Sequence, residues 1–274
     1  MYRCHCGISG LAADAKEVPS LQIYLAVTPQ DCLKASVCGQ SLAHVAYRIG
    51  RGSSLLRSGE GRRRGLLSLS DRNAPPVSRP KALTAALLRE IRRRSSPGIL
   101  LDFEGEAVRD DLAKLAACLV RALPTDRQPV YVPEAYAAAV PGTVPLLCTA
   151  ISGGVFSQDL QEQLSRWHGR AALDVQRLRM DFTLPAADGI GTPLDSRCFQ
   201  THVQRAAVFF STDLCAKYFT YCQNNALHLV LFDDADSLVR KLRIGASLGF
   251  SAAFLMWPEI QDTAVPLFRQ LSGQ

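Results

Sequence analysis

The chain has 274 residues, 47% of them hydrophobic, with 31 Lys and Arg against 25 Asp and Glu for a formal net charge of +6. That length and apolar content exclude a disordered chain and suit one α/β barrel, which typically needs about 250 residues. Nine scattered cysteines, an odd number, exclude a fully paired disulfide framework, and no apolar run reaches the roughly 18–20 residues of a membrane-spanning helix.

Residues 1–20 read as a flexible N-terminus. They lack the apolar centre of a signal peptide, so the expected location is cytoplasmic. Cys4-His5-Cys6 has no second pair at zinc-site spacing, and no metal is expected there. Leu21 to Thr28 is the first strand, mixing β-branched, aromatic and aliphatic residues. His44 to Ile49 is a second and Gly65 to Asp71 a third. Lys81 to Arg94 carries helical spacing through Leu83, Leu87, Leu88 and Ile91.

Pro97-Gly98 then opens a short apolar run, Ile99-Leu100-Leu101, that ends in Asp102-Phe103-Glu104-Gly105. This reads as a buried strand delivering two carboxylates. Positions i and i+2 of a strand share a face about 6.6 Å apart, so Asp102 and Glu104 look one way and Phe103 the other. Carboxylates at the end of a core strand are costly without a purpose.

Asp110 to Leu123 is a helix, Pro129 to Pro133 a strand, Val144 to Ile151 another, and Phe156 to Trp167 a helix. Leu173 to Leu184 contains a seventh strand, and Leu227 to Phe232 is strand-like. Ser237 to Leu248 is a helix stopped by Gly249, and Ala252 to Trp257 is the last strand. Alternating strands and helices along residues 21–274 predict a mostly parallel sheet. About eight such units favour a single (β/α)8 TIM barrel.

No G-x-G-x-x-G or P-loop follows any strand, so no nucleotide cofactor is expected. Arg62-Arg63-Arg64 reads as a solvated loop. Arg92-Arg93-Arg94 reads as a helix end whose dipole favours cations. No nucleic-acid motif accompanies them, and nucleic acid is not an expected partner. A barrel places reactive groups at the C-terminal ends of its strands. Those ends offer Tyr47, Ser70, Asp71, Asp102, Glu104, Glu134, Tyr136, Ser152, Asp181, Trp257 and Glu259. Acids, aromatics and hydroxyls suit a sugar better than a metal, since His44, His168, His202 and His228 show no ligand spacing.

The order of these features resembles the family 18 glycoside hydrolases, the chitinase-like barrels. Their fourth strand ends in D-x-x-D-x-D-x-E; here the positions read Pro97, Leu100, Asp102 and Glu104, keeping the last two acids. Their third strand ends in S-x-G-G, where this chain has Ser68-Leu69-Ser70-Asp71. Asp233-Asp234 with Ser237, Lys241, Gly249 and Trp257 is similar to the family's run into its eighth strand. The tyrosine of the sixth-strand M-x-Y-D is missing both from Cys148-Thr149-Ala150-Ile151 and from Met180-Asp181-Phe182-Thr183.

The resemblance implies retaining, substrate-assisted hydrolysis of β-linked N-acetylhexosamine glycans of the peptidoglycan or chitin type, without a cofactor. Glu104 would be the general acid, kept protonated near neutral pH by its like-charged neighbour. Asp102 would orient the substrate's acetamido group, and Trp257 would floor the pocket. Tyr136 or Asp181 would compensate for the missing tyrosine, with Ser70, Glu134 and Tyr47 as further sugar contacts. Asp233-Asp234 is expected to cap the helix near Ser237. The alternatives are a carbohydrate-binding barrel that has lost turnover, or an unrelated α/β-barrel lyase or phosphatase-like enzyme. The expected partner is a carbohydrate rather than a membrane, and the missing leader favours an intracellular or spore-associated role.

Overall fold

The computed structural model describes residues 21–58, 65–105, 107–186 and 189–273. The stretch 1–20, with Cys4-His5-Cys6, and Arg62-Arg63-Arg64 lie outside the described residues.

The chain opens with β1 (Gln22–Val27), α1 (Cys32–Ser36), β2 (Ser41–Ile49) and a short antiparallel partner of β2, β3 (Leu55–Arg57). Then come β4 (Leu66–Ser70), α2 (Pro80–Arg94), β5 (Ile99–Asp102), α3 (Asp110–Ala122), β6 (Val130–Pro133), α4 (Glu134–Ala139), β7 (Val144–Cys148), α5 (Phe156–Arg166) and β8 (Ala172–Val175). After β8 the chain departs into β9 (Arg179–Leu184), β10 (Thr192–Pro193), α6 (Ser196–Val203), β11 (Phe209–Ser211), β12 (Ala216–Gln223) and β13 (Ala226–Phe232). It returns through α7 (Ala235–Leu248) and β14 (Ala252–Met256), and ends in α8 (Trp257–Ile260) and α9 (Ala264–Leu271).

Strands β1, β2, β4, β5, β6, β7, β8 and β14 pair in parallel, and the β1–β2 and β1–β14 ladders close the ring. This is the (β/α)8 barrel that the alternation predicts. Two segments differ from the sequence expectation. Leu173 to Leu184 is not one strand: its first residues belong to β8 in the barrel, and the rest is β9 in a separate sheet. Leu227 to Phe232 is not a barrel strand either, because β13 pairs antiparallel with β9 and β12 in that five-stranded sheet, ordered β10-β9-β13-β12-β11. A strand inside a barrel and a strand of an antiparallel insert share the same apolar run, so periodicity cannot separate them.

Packing follows from residue alternation. The barrel interior is filled by Tyr24, Leu66, Leu100, Tyr131, Val144 and Phe254 with small residues between them. Phe254 stacks on Tyr24 at 5.2 Å and meets Tyr131 edge-on at 4.9 Å. The opposite strand faces meet the helices. Leu83, Leu87 and Ile91 form the buried stripe of α2, and Leu112, Leu115, Ala116 and Leu119 that of α3. Each fully buried aliphatic side chain of this kind contributes about 1.5–3 kcal/mol. Arg92, Arg93 and Arg94 do fall in the last turn of α2, and Arg93 pairs with Glu90 at 2.6 Å. Helix α7 closes on Gly249 in the left-handed region, φ 92°. It lies so near β8 that a Cβ on Gly245 would collide with Leu173. Among the described residues no helix is long and apolar enough to cross a membrane.

The insert joins the barrel at one buried knot. Lys241 and Asp233, both 0% exposed, pair at 2.8 Å. Asp233 also accepts from Ser237 Oγ at 2.8 Å and from the Leu178 N–H at 2.9 Å. Lys241 donates further to the Thr149 carbonyl, just past β7, and lies over the Phe156 ring. Asp234 caps α7 in a reciprocal box with Ser237, the capping role expected for the acid pair, and binds Lys217. Removing one partner of a fully buried pair leaves an uncompensated charge, which costs about 3–5 kcal/mol. Lys241→Ala should therefore lose that much stability in urea unfolding, and a loss below about 1 kcal/mol would show the knot to be dispensable.

Candidate active site

Inward-facing positions at the C-terminal rim of the barrel decide which side chains reach the mouth. Asp102 is the last residue of β5 and sits in register with Ser70 of β4. Both continue the inward parity of Leu100 and Leu66. Phe103 turns outward, is buried, and packs edge-on against Tyr136 at 4.9 Å. Glu104 lies two residues beyond Asp102 and is exposed. Its N–H donates to Asp71 Oδ1 at 2.9 Å, while the Asp71 N–H donates to the Asp102 carbonyl. Asp71 thus clamps the backbone that carries both acids. Ser70 Oγ accepts from the Arg72 N–H at 3.1 Å, which fixes the loop next door.

A third acid completes the rim, and sequence reading missed it. Asp174 of β8 alternates with the outward Leu173 and Val175, so it faces the same mouth. It stands in register with Cys148, the end of β7. Gln176 Nε2 donates to Asp174 Oδ2 at 2.7 Å. The available signal was the acid placed between two apolar residues; reading β8 and β9 as one strand moved the expected strand end to Asp181. Burial, and then the charge of Glu259, raise the Asp174 carboxyl against the Gln176 hydrogen bond. Burial, and then the charges of Glu104, Asp174 and Asp71, lift Asp102 to about 6. The like-charge effect expected from the sequence therefore acts on Asp102. Burial likewise pushes the Cys148 thiol up.

The structure places the other predicted site residues elsewhere. Tyr47 packs outward against α2, its hydroxyl donating to Glu90 at 2.8 Å with Arg94 over its ring. A bulge between Val45 and Tyr47 causes this, because one extra residue flips every later side chain to the other face. Tyr136 and Glu134 belong to α4, which starts directly after β6. The Tyr136 oxygen accepts from the Arg109 N–H, and Glu134 accepts from Trp167 Nε1 at 3.0 Å. Asp181 belongs to the second sheet, bonded by the Tyr221 hydroxyl at 2.7 Å and by His228 at 3.1 Å. Trp257, 6% exposed, has the outward parity of Leu255 and packs in the layer between sheet and helices. Met256 is the residue that β14 turns to the rim. Asp102, Glu104 and Ser70 are brought together; Tyr47, Tyr136, Glu134, Asp181 and Trp257 do not join them.

Beside the mouth, the loops after β7, β8 and β14 and the inserted sheet enclose a cleft of about 920 Å³. Its wall includes Ser152, Gln176, Arg179, Met180, Phe182 and Glu259, but neither Asp102 nor Glu104. Gln176 links the two, since it lines the cleft and holds Asp174. Among the described residues, no group of three or more His, Cys, Asp and Glu side chains suits a metal ion.

No protein-family model matches the chain, and no curated protein matches it. Solved structures do. A Chromobacterium violaceum chitinase superposes with TM-score 0.63 at 16% identity, covering 93% of this chain and 100% of that one. The Bacillus cereus spore cortex-lytic enzyme SleL gives 0.61 at 15%, covering 91% and 75%. The Cycas revoluta GH18 chitinase, solved in complex with (GlcNAc)3, gives 0.60 at 12%, covering 92% and 100%. The fold is a divergent form of the GH18 chitinase-like barrel.

The raised Asp102 carboxyl has a stability consequence with a definite sign. A carboxyl at about 6 when folded, against 3.8 ordinarily, favours the folded state while protonated and loses that advantage as pH rises from about 4 through 6. Asp102→Asn should accordingly be more stable than the parent at pH 7.5, by up to about 2–3 kcal/mol. The difference should vanish below pH ~3.8, as read by urea unfolding at both pH values. Equal stability at pH 7.5 would show that Asp102 titrates normally.

Proposed function

We propose that the chain is a glycosidase acting on β-linked glycans of N-acetylhexosamine by the retaining, substrate-assisted route. The observation that carries this reading is the pair Asp102–Glu104 at the barrel mouth, its backbone clamped by Asp71. Glu104 is exposed and free to meet a glycosidic oxygen, whereas Asp102 is held in the wall behind it. Glu104 donates its proton to the leaving oxygen as the C1–O bond breaks, and the substrate's own acetamido oxygen closes onto C1. Water then attacks C1 and displaces the acetamido oxygen, restoring the acetamide, while Glu104 takes up the water's proton. A carboxyl near 6 suits Asp102 to hydrogen-bond the acetamido group in either protonation state.

The positions of the family's upstream acids are Pro97 and Leu100 here. In this reading Asp174 supplies the neighbouring negative charge from a different strand. It faces the same mouth, and its charge contributes to the raised Asp102 carboxyl. The match to a (GlcNAc)3-bound chitinase and to a cortex-lytic enzyme supports this substrate class. A second reading, a barrel that binds such glycans without cleaving them, rests on Cys148-Thr149-Ala150-Ile151 at the end of the sixth barrel strand, which lacks the tyrosine of the family's M-x-Y-D.

Glu104→Gln should lower turnover of a chromogenic chitooligosaccharide at least about 100-fold while leaving the unfolding transition in place. Undiminished turnover in the variant removes Glu104 from the mechanism. A parent protein that binds (GlcNAc)4 without hydrolysing it supports the second reading.

A further inference from the structure

The wall of the cleft formed by the inserted sheet carries a cation that the barrel chemistry does not use. Arg177 and Arg179 both line this cleft, but their surroundings differ. Arg177 is ion-paired: Nη1 donates to Asp262 at 2.6 Å and to the Glu259 carbonyl at 3.0 Å, and Nε donates to the Asp233 carbonyl at 3.1 Å. Arg179 donates from Nη1 to Ser196 Oγ at 2.7 Å, and its guanidinium lies over the Phe199 ring at 5.0 Å. No carboxylate among the described residues pairs with it.

The acids closest in influence are already engaged. Asp262 is bound by Arg177, and Asp195 accepts the N–H groups of Arg197 and Cys198 at the start of α6. Burial and the like charge of Arg177 press the Arg179 pKa downward, as befits a cation short of compensation. Its backbone is also fixed, since its carbonyl accepts from the Leu194 N–H at 3.1 Å. The result is a guanidinium held against α6 that lines the cleft with Leu194 and Ser196 beside it.

A neutral N-acetylglucosamine polymer offers this group no charge to meet. From these contacts we infer that the cleft selects glycans bearing a carboxylate substituent, with Arg179 as the residue that binds it. The inference rests on the glycan reading given above and narrows it to acidic N-acetylhexosamine polymers. Glu259, on the barrel side of the cleft, repels an anion, so the carboxylate points to the inserted sheet and the sugar chain to the acids at the mouth. A guanidinium matches a carboxylate with two parallel N–H donors, which makes the contact geometrically selective.

The carboxylate could sit on a lactyl ether of the sugar or on a peptide attached through it. The test therefore uses four probes with the full chain: (GlcNAc)4; an alternating tetrasaccharide of N-acetylglucosamine and N-acetylmuramic acid; the same tetrasaccharide with the lactyl carboxyl reduced to an alcohol; and the same carrying an alanyl-glutamate stem. Calorimetric affinities are compared as ratios to the reduced form. At least one acidic probe should bind tenfold or more tighter than the reduced one, and which one does so identifies the source. In Arg179→Gln the ratio should fall to within about twofold, whereas Arg179→Lys, which keeps the charge but not the paired donors, should give a ratio between those of the parent and Arg179→Gln.

Raising the salt from about 0.05 M to about 0.5 M should shrink the parent's ratio severalfold, a readout that needs no variant. Equal binding of acidic and reduced probes, a ratio that survives Arg179→Gln, or a ratio indifferent to salt overturns the inference while leaving a neutral-glycan site standing. Failure of all four probes to bind overturns the glycan reading and this inference together.

Discussion

A carboxylate and an ammonium, both wholly removed from water, hold the molecule's two parts together. Asp233 reaches back from the end of β13 to the Leu178 N–H, and Lys241 reaches from α7 to the chain beyond β7. A bare ion in such a place would cost several kcal/mol, so each depends on the other and on the Ser237 hydroxyl that completes the set. The direction of α7, the start of β9 and the loop after β7 are referred to one point. The relative position of cleft wall and barrel mouth follows from it.

Alternation along short strands governs the chemistry of the rim. Each barrel strand can present only the side chains of one parity, and two of them present acids there: β5 with Asp102 and, just beyond the strand, Glu104, and β8 with Asp174. No cation among the described residues forms an ion pair with any of the three. Their mutual repulsion is partly met by the Gln176 amide on Asp174 and by the Asp71 clamp on the backbone. A rim of this kind stays electrostatically loaded, with Asp102 titrating close to neutrality.

The barrel, its fourth-strand acids and the capping role of Asp234 were legible in the sequence because each has a local signature. Helical stripes, a β-run ending in acids and a D-x-x-S box need no knowledge of distant contacts. What escaped were features set by tertiary context. The bulge that turns Tyr47 outward leaves no mark in the apolar pattern. The break between β8 and β9 falls inside a run that reads continuously, and it hid Asp174. Trp257 satisfies the family spacing, yet the parity of β14 gives the rim to Met256 and the helix layer to the tryptophan. Glu134 and Tyr136 follow a strand so closely that only the immediate start of α4 shows them pointing away.

The neck of the inserted sheet is as narrow as a hairpin. The Asp233 N–H donates to the Leu178 carbonyl at 2.8 Å, alongside the side-chain bond in the reverse direction. For a segment stitched shut at its base, added length weighs on the host only logarithmically, about 0.6 kcal/mol for each doubling. The sheet is thus a cassette. Descendants of such a gene can lengthen, trim or exchange it while the barrel rim is inherited intact, so the two walls of the groove are free to evolve at different rates.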